Sequence, residues 1–107
     1  MKIDRHFGSY KPVEFPIDGT LDLHTFQPRE VKELLVDYLA ACQDRGILQV
    51  RIIHGKGTGA LRRTVHSVLA RLPEVISFHL GGETEGSWGT TICFLHSTKQ
   101  ELLTESN

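Results

Sequence analysis

Two short stretches of the chain carry residues able to do chemistry. "LDLH" sets Asp22 and His24 two positions apart, so on an extended strand both side chains point to one face. A carboxylate beside an imidazole fixes its tautomer and raises its pKa, which prepares the ring to act as a general base or acid. The second stretch, "IIHGKGTGALRR" (52–63), ends an apolar run in His54 and then places glycines at 55, 57 and 59. Lys56 lies among them, and Arg62 and Arg63 follow. Glycine permits positive φ and lets backbone N–H groups approach an anion, and a helix beginning at residue 60 adds free amides and a positive dipole end. If the strands ending in His24 and His54 are parallel neighbours, both histidines converge on one phosphodiester, with Lys56, Arg62 and Arg63 as a local basic patch.

Each stretch also has a plainer reading. Asp22 and His24 also fit a polar pair on a solvated strand face. The glycines also fit a turn that holds no ligand. Spacing rules out GxxxxGK[ST], because Lys56 sits inside the glycines and not after them. Residues 55–60 satisfy GxGxxG/A, with Ala60 last, but a dinucleotide fold usually needs more strands than 107 residues supply.

The elements that must position these residues follow from hydrophobic period. "GTLDLH" (19–24) alternates, with Leu21 and Leu23 on one face. "PREVKELLVDYLAACQDRG" opens on Pro28, repeats apolar residues at Val31, Leu34, Leu35, Tyr38, Leu39 and Cys42, and stops at Gly46, which predicts a helix. "ILQVRIIH" (47–54) is a β-branched strand, and residues 60–72 place Leu61, Val65, Val68, Leu69 and Leu72 on one helical stripe before Pro73. "VISFHL" (75–80) and "WGTTICFL" (88–95) are two further strands joined by the loop "GGETEGS".

The order is βαβαββ. It predicts an open two-layer α/β sandwich: a four-stranded mixed sheet, its first three strands parallel and its last folded back as a hairpin, with two helices on one face. By parity, Asp22, His24, Arg51, Ser77 and His79 occupy the other face. Residues 1–18 read as an arm laid against the domain by Phe7, Tyr10, Val13 and Phe15, residues 19–96 as the domain, and 97–107 as a polar tail. Trp88 fits either stacking on a base or capping a sheet edge. His6, His66 and His96 receive no site role.

Composition bounds the rest. The 107 residues, 39% hydrophobic, suit one domain with one modest core. A formal net charge of -1 means that nucleic-acid binding would need a local patch, since the chain as a whole is not basic. Cys42 and Cys93 have no metal-ligand spacing and read as buried thiols. No apolar run is long enough for a membrane span and the start lacks a signal-peptide pattern, so a cytoplasmic monomer is expected.

"PIDGTLDLHTF", "RIIHGKGTGALRR" and "GSWGTTICFL", in that order over about 16–96, resemble the three signature segments of the Smr (small MutS-related) domain. The resemblance implies a sandwich similar to the C-terminal domain of translation initiation factor 3. It also implies endonuclease activity on DNA or RNA, with Asp22, His24, His54, Gly55, Gly57 and Gly59 in the active region. Thr25 and Ser87 stand where the family often has glycine. Two functions are therefore expected to compete: a small nuclease, and a binding module for nucleic acid or the ribosome without catalysis. RNA supplies its own 2′-OH nucleophile, whereas DNA requires water and favours a divalent ion, Mg or Mn, on Asp22.

Overall fold

A computed structural model describes residues 16–83 and 87–98, together with the backbone of two short paired strands, β1 (Lys2–Ile3) and β2 (Val13–Glu14). The domain proper runs β3 (Thr20–Asp22), α1 (Pro28–Asp44), β4 (Gln49–Ile53), α2 (Ala60–Arg71), β5 (Val75–Leu80) and β6 (Thr90–Leu95). This is the expected βαβαββ order. The expected packing of Phe7, Tyr10 and Phe15 and most of the polar tail lie outside the described residues, as does the side chain of Val13. Within the expected arm, β1 and β2 form a two-residue antiparallel ladder.

The sheet order is β3-β4-β6-β5. β3 runs parallel to β4, while β6 is antiparallel to both β4 and β5, so β3, β4 and β5 share one direction as expected. The last strand inserts between β4 and β5. Such an insertion leaves no trace in hydrophobic period, because it is fixed by which strands pair.

α1 forms because its apolar residues recur at helical spacing, and Val31, Leu34, Leu35, Tyr38, Leu39 and Cys42 are all fully buried. Pro28 suits the first turn, and the Gln27 N–H donates to the Glu30 side chain at 2.9 Å. These side chains meet Leu21, Leu23, Val50, Ile52, Cys93 and Leu95 from the sheet, and Val65, Val68 and Leu69 from α2. One core thus lies on one face of the sheet. Each such aliphatic side chain contributes about 1.5–3 kcal/mol relative to exposure. Cys42 and Cys93 are free thiols inside this core, and burial pushes their pKa values up to about 11 and about 12.

Tyr38 also ties the helix layer to the strand that carries the first motif. Its hydroxyl accepts from the Gly19 N–H at 3.1 Å and lies 3.1 Å from the Thr20 carbonyl, to which it donates. Gly19 has φ +94°, and a Cβ there would approach Ile47 to 3.2 Å, so glycine is needed where the chain turns into β3. Burial pushes the Tyr38 hydroxyl up to about 12, with Cys42 adding to the rise, so it stays a neutral donor.

Tyr38→Phe strands the buried Gly19 N–H and is expected to cost about 1–3 kcal/mol in urea unfolding. The cleft described next should be undisturbed in the folded variant.

Candidate functional site

The parallel pairing of β3 and β4 sets Asp22 opposite Ile53, and the Leu23 N–H donates to the Ile53 carbonyl at 2.7 Å. The two strands therefore end together. His24 lies in the turn just past β3, and its Cβ is 3.5 Å from where a Cβ on Gly55 would be. A cleft of about 430 Å³ opens there, lined by His24 and Phe26 on one side, by His54 and the loop from Gly55 to Gly59, and by the first turn of α2 to Arg62.

Asp22 and His24 form the expected pair. The His24 Nδ1 is 2.6 Å from Asp22 Oδ1, and the same oxygen accepts the His24 backbone N–H at 3.1 Å. A carboxylate only accepts, so Nδ1 carries the proton and a neutral His24 presents Nε2 as a free base. Both side chains remain about half exposed. Burial raises the Asp22 carboxyl, but the hydrogen bonds from His24 and the imidazole charge outweigh it and leave it below its ordinary value.

His54 is held differently. It is 3% exposed, its Nδ1 lies 3.0 Å from the Gly55 carbonyl, and its Nε2 lies 2.8 Å from Thr91 Oγ1. The same hydroxyl is 2.8 Å from His66 Nε2. A carbonyl only accepts, so His54 Nδ1 is the donor and Nε2 must accept from the Thr91 O–H. Thr91 has then used its proton, so His66 Nε2–H donates to it. The result is a directed chain from His66 through Thr91 and His54 to the Gly55 carbonyl. The His66 ring also sits edge-on to His54, with centroids 6.1 Å apart, and packs against Phe78 at 5.0 Å.

The glycine loop is thereby fixed at its root. The Gly89 carbonyl accepts both the His54 and the Gly55 N–H at 2.9 Å, and a Cβ on Gly89 would touch Gly55 and Lys56 at 3.4–3.5 Å. Gly55 has φ +83° and Gly59 φ +90°, as a loop of this shape requires. Gly57 differs from the expected pattern: its φ is not positive and nothing lies within 4 Å of its missing side chain, so its smallness leaves open space above the loop. α2 starts without a side-chain cap, Ala60 N–H reaches Thr58 Oγ1 at 3.3 Å, and Arg63 N–H returns to Gly59. No described residue accepts the N–H groups of Leu61 and Arg62, which leaves the amides of a helix N-terminus at the cleft.

The structure therefore brings together His24, His54, Gly55, Lys56, Gly57, Gly59 and Arg62, with Asp22 behind His24. Arg63 lines the adjoining groove between the helices. Arg51 and His79 do not join the cleft: both pair with Ile92, on either side of it, and His79 packs on Phe94 at 5.9 Å. Trp88 lies in the short turn Ser87–Gly89 before β6, which packs beside the edge strand β5, and its side chain is 69% exposed. His66 was expected to lack a site role, yet it belongs to the chain that holds His54. It occupies the flank of an amphipathic helix stripe, where sequence period does not distinguish a packing histidine from a bonded one. Thr91 was equally invisible, its hydroxyl being one of several in "WGTTICFL".

No three His, Cys, Asp or Glu side chains gather into a metal-ligand set among the described residues. Asp22 Oδ1 is already engaged twice by His24, so a divalent ion at Asp22 would take its Oδ2 and draw its remaining oxygens from water or substrate. No helix among the described residues is long and apolar enough to cross a membrane.

A mixed sheet with one helix layer, and a glycine loop running from a strand end into a helix between two histidines, defines a small α/β domain with a cleft at its strand ends. The chain belongs to the Smr domain family, whose profile matches residues 21–96. It is 42% identical over 95 residues to the endonuclease MutS2 of Halothermothrix orenii, covering 88% of this chain and 12% of that protein. It is 48% identical over 67 residues to the endonuclease MutS2 of Brevibacillus brevis, covering 63% of this chain and 8% of that one. The chain thus spans about an eighth or less of these curated relatives. The crystal structure of the Smr domain of Thermus thermophilus MutS2 superposes with a TM-score of 0.66 at 36% identity, over 72% of this chain and 96% of that one. YdaL, a stand-alone small MutS-related protein from Escherichia coli, shares the fold with a TM-score of 0.71 at 21% identity, over 78% of this chain and 69% of that one.

Burial lowers the pKa of His54, with Arg62 adding to the fall against the Gly55 hydrogen bond; burial also lowers that of His66, helped by His54 and Arg62. Below the ordinary value of 6.5 the unfolded chain then binds more protons than the folded one, so stability is full above 6.5 and falls as pH drops toward the folded-state values. The urea midpoint should accordingly be lower at about pH 5.5 than at about pH 7.5, with a smaller difference in His66→Gln. Thr91→Val, which unpairs the buried His54 nitrogen and the half-buried His66 nitrogen, is expected to cost about 1–3 kcal/mol at neutral pH, and Thr91→Ser to recover most of it.

Proposed function

We propose that this domain binds nucleic acid in the cleft and cleaves its phosphodiester bonds by general acid–base catalysis at His24. The observation that carries this reading is the 2.6 Å Asp22–His24 pair at the rim of a glycine-loop cleft, with His24 Nε2 unbonded among the described residues. Asp22 holds the tautomer and stabilises the imidazolium that forms when Nε2 takes a proton. Backbone amides at the start of α2, with Lys56 and Arg62, face the phosphoryl oxygens, where negative charge grows in the transition state. Both nitrogens of His54 are committed, to the Gly55 carbonyl and to Thr91, so in this reading His54 shapes the loop and transfers no proton.

RNA suits the cleft best because one positioned base is enough. His24 takes the 2′-OH proton, the 2′-oxygen attacks phosphorus, the bond to the 5′-oxygen breaks, and the proton passes to that leaving oxygen. A 2′,3′-cyclic phosphate and a 5′-hydroxyl result. Water attack on DNA is the other chemistry in view, and the relatives' name, endonuclease MutS2, supports a nuclease role without choosing between them.

Labelled RNA and DNA incubated with the protein, with and without EDTA, test the reading. His24→Ala is expected to slow cleavage by about 10²-fold or more while binding changes little. Asp22→Asn acts through the same step, so adding it to His24→Ala should cost nothing further. Binding without cleavage of either polymer would leave a recognition module for nucleic acid, free or in the ribosome. Equal losses of binding and cleavage in His24→Ala would recast His24 as a contact.

A further inference from the structure

A second depression adjoins the cleft, between α1 and α2, lined by Lys32, Ala60, Arg63, Thr64, Ser67 and Val68. Ala60 borders both, so the two depressions meet at the first residue of α2. A Cβ on Gly59 at this junction would lie 3.2 Å from the Arg63 guanidinium and 3.3 Å from that of Arg62. Arg62 belongs to the cleft and Arg63 to the groove. A glycine therefore marks the crossing between them, with a cation on each side.

The charges there have no internal explanation. Arg62 and Arg63 oppose the dipole of α2 in its first turn, and that turn holds no acidic residue. Among the described residues, neither they nor Lys32 forms an ion pair. The groove itself offers two cations from two helices and two hydroxyls, with no carboxylate in its lining. Glu33 and Asp37 of α1 line a separate depression that shares only Lys32 with the groove.

We infer that the groove between α1 and α2 binds the phosphodiester backbone of the strand as it leaves the cleft, with Gly59 as the crossing point and Lys32 and Arg63 neutralising phosphates beyond the reacting one. The inference rests on the nucleic-acid reading above. Two cations with the Thr64 and Ser67 hydroxyls are the contact types that hold a sugar–phosphate backbone in place without reading bases. Both guanidiniums lie against Gly59, which sets the cation of the cleft directly beside that of the groove. Affinity should therefore grow with strand length, and the added part should depend on the groove.

The test compares single-stranded RNAs of about 4 and about 12 nucleotides, with affinity measured against salt concentration. Lys32 and Arg63 are exposed, and Lys32→Ala/Arg63→Ala is expected to keep the wild-type circular dichroism and urea midpoint. For the longer strand its salt slope should be shallower than wild type by about 1.4, the value for two phosphate contacts on a single strand, with weaker binding at low salt. The short strand should bind both proteins alike. Arg45→Ala/Arg71→Ala removes the same charge from the C-terminal ends of the helices, about 16 Å along α2 from Ala60, and should leave both slopes unchanged. The inference is overturned if the groove variant keeps the wild-type slope on the long strand, if it loses equally on both lengths, or if the control variant loses as much. If wild type binds neither RNA, the RNA reading of the cleft falls and the groove assignment falls with it. That outcome differs from intact wild-type binding with an unaffected groove variant.

Discussion

The parallel pairing of β3 on β4 is the constraint on which the site depends. It ends both strands at the same level, so that the turn carrying His24 meets the loop that begins at His54. A one-residue slip would move Leu21 and Leu23 out of the core and turn Asp22 into it, so the register is enforced by burial as well as by hydrogen bonds. β6 completes the arrangement from the other side of β4, because its preceding Gly89 carbonyl takes both amides at the root of the loop. The side chains of the cleft are thus carried by a frame whose energy lies in the apolar face behind them.

The two histidines of the motifs divide the work through their surroundings. His24 is half exposed and, among the described residues, bonded through one ring nitrogen only. His54 is buried with both nitrogens used, and its surroundings hold it neutral. Protonating His54 would turn Nε2 into a donor toward a hydroxyl already receiving His66 Nε2–H, so the Thr91 proton would lose its partner. The loop is therefore best formed when both rings are neutral.

Much of this is legible in the sequence. The helical period of Val31 to Cys42 and the alternation of Leu21 and Leu23 define α1, β3 and the buried face, and parity alone places Asp22 with His24. The glycine loop was correctly set between a strand and a helix. Strand order was not legible, since the insertion of β6 depends on long-range pairing. The even spacing of 55, 57 and 59 also suggested one role for three glycines, whereas positive φ occurs only at Gly55 and Gly59. His66 and Thr91 escaped notice because a side-chain chain between a helix and a central strand has no signature in local period.

The most direct test of the central claim, that the histidine and glycine-loop cleft is where nucleic acid meets this domain, is a titration of the isotope-labelled protein with single-stranded RNA followed by NMR. The account predicts that the amides of Gly55, Gly57 and Gly59 and the ring of His24 shift together and saturate at one RNA concentration. Shifts confined to the opposite sheet face around Arg51 and His79, with the loop amides unmoved, would contradict it.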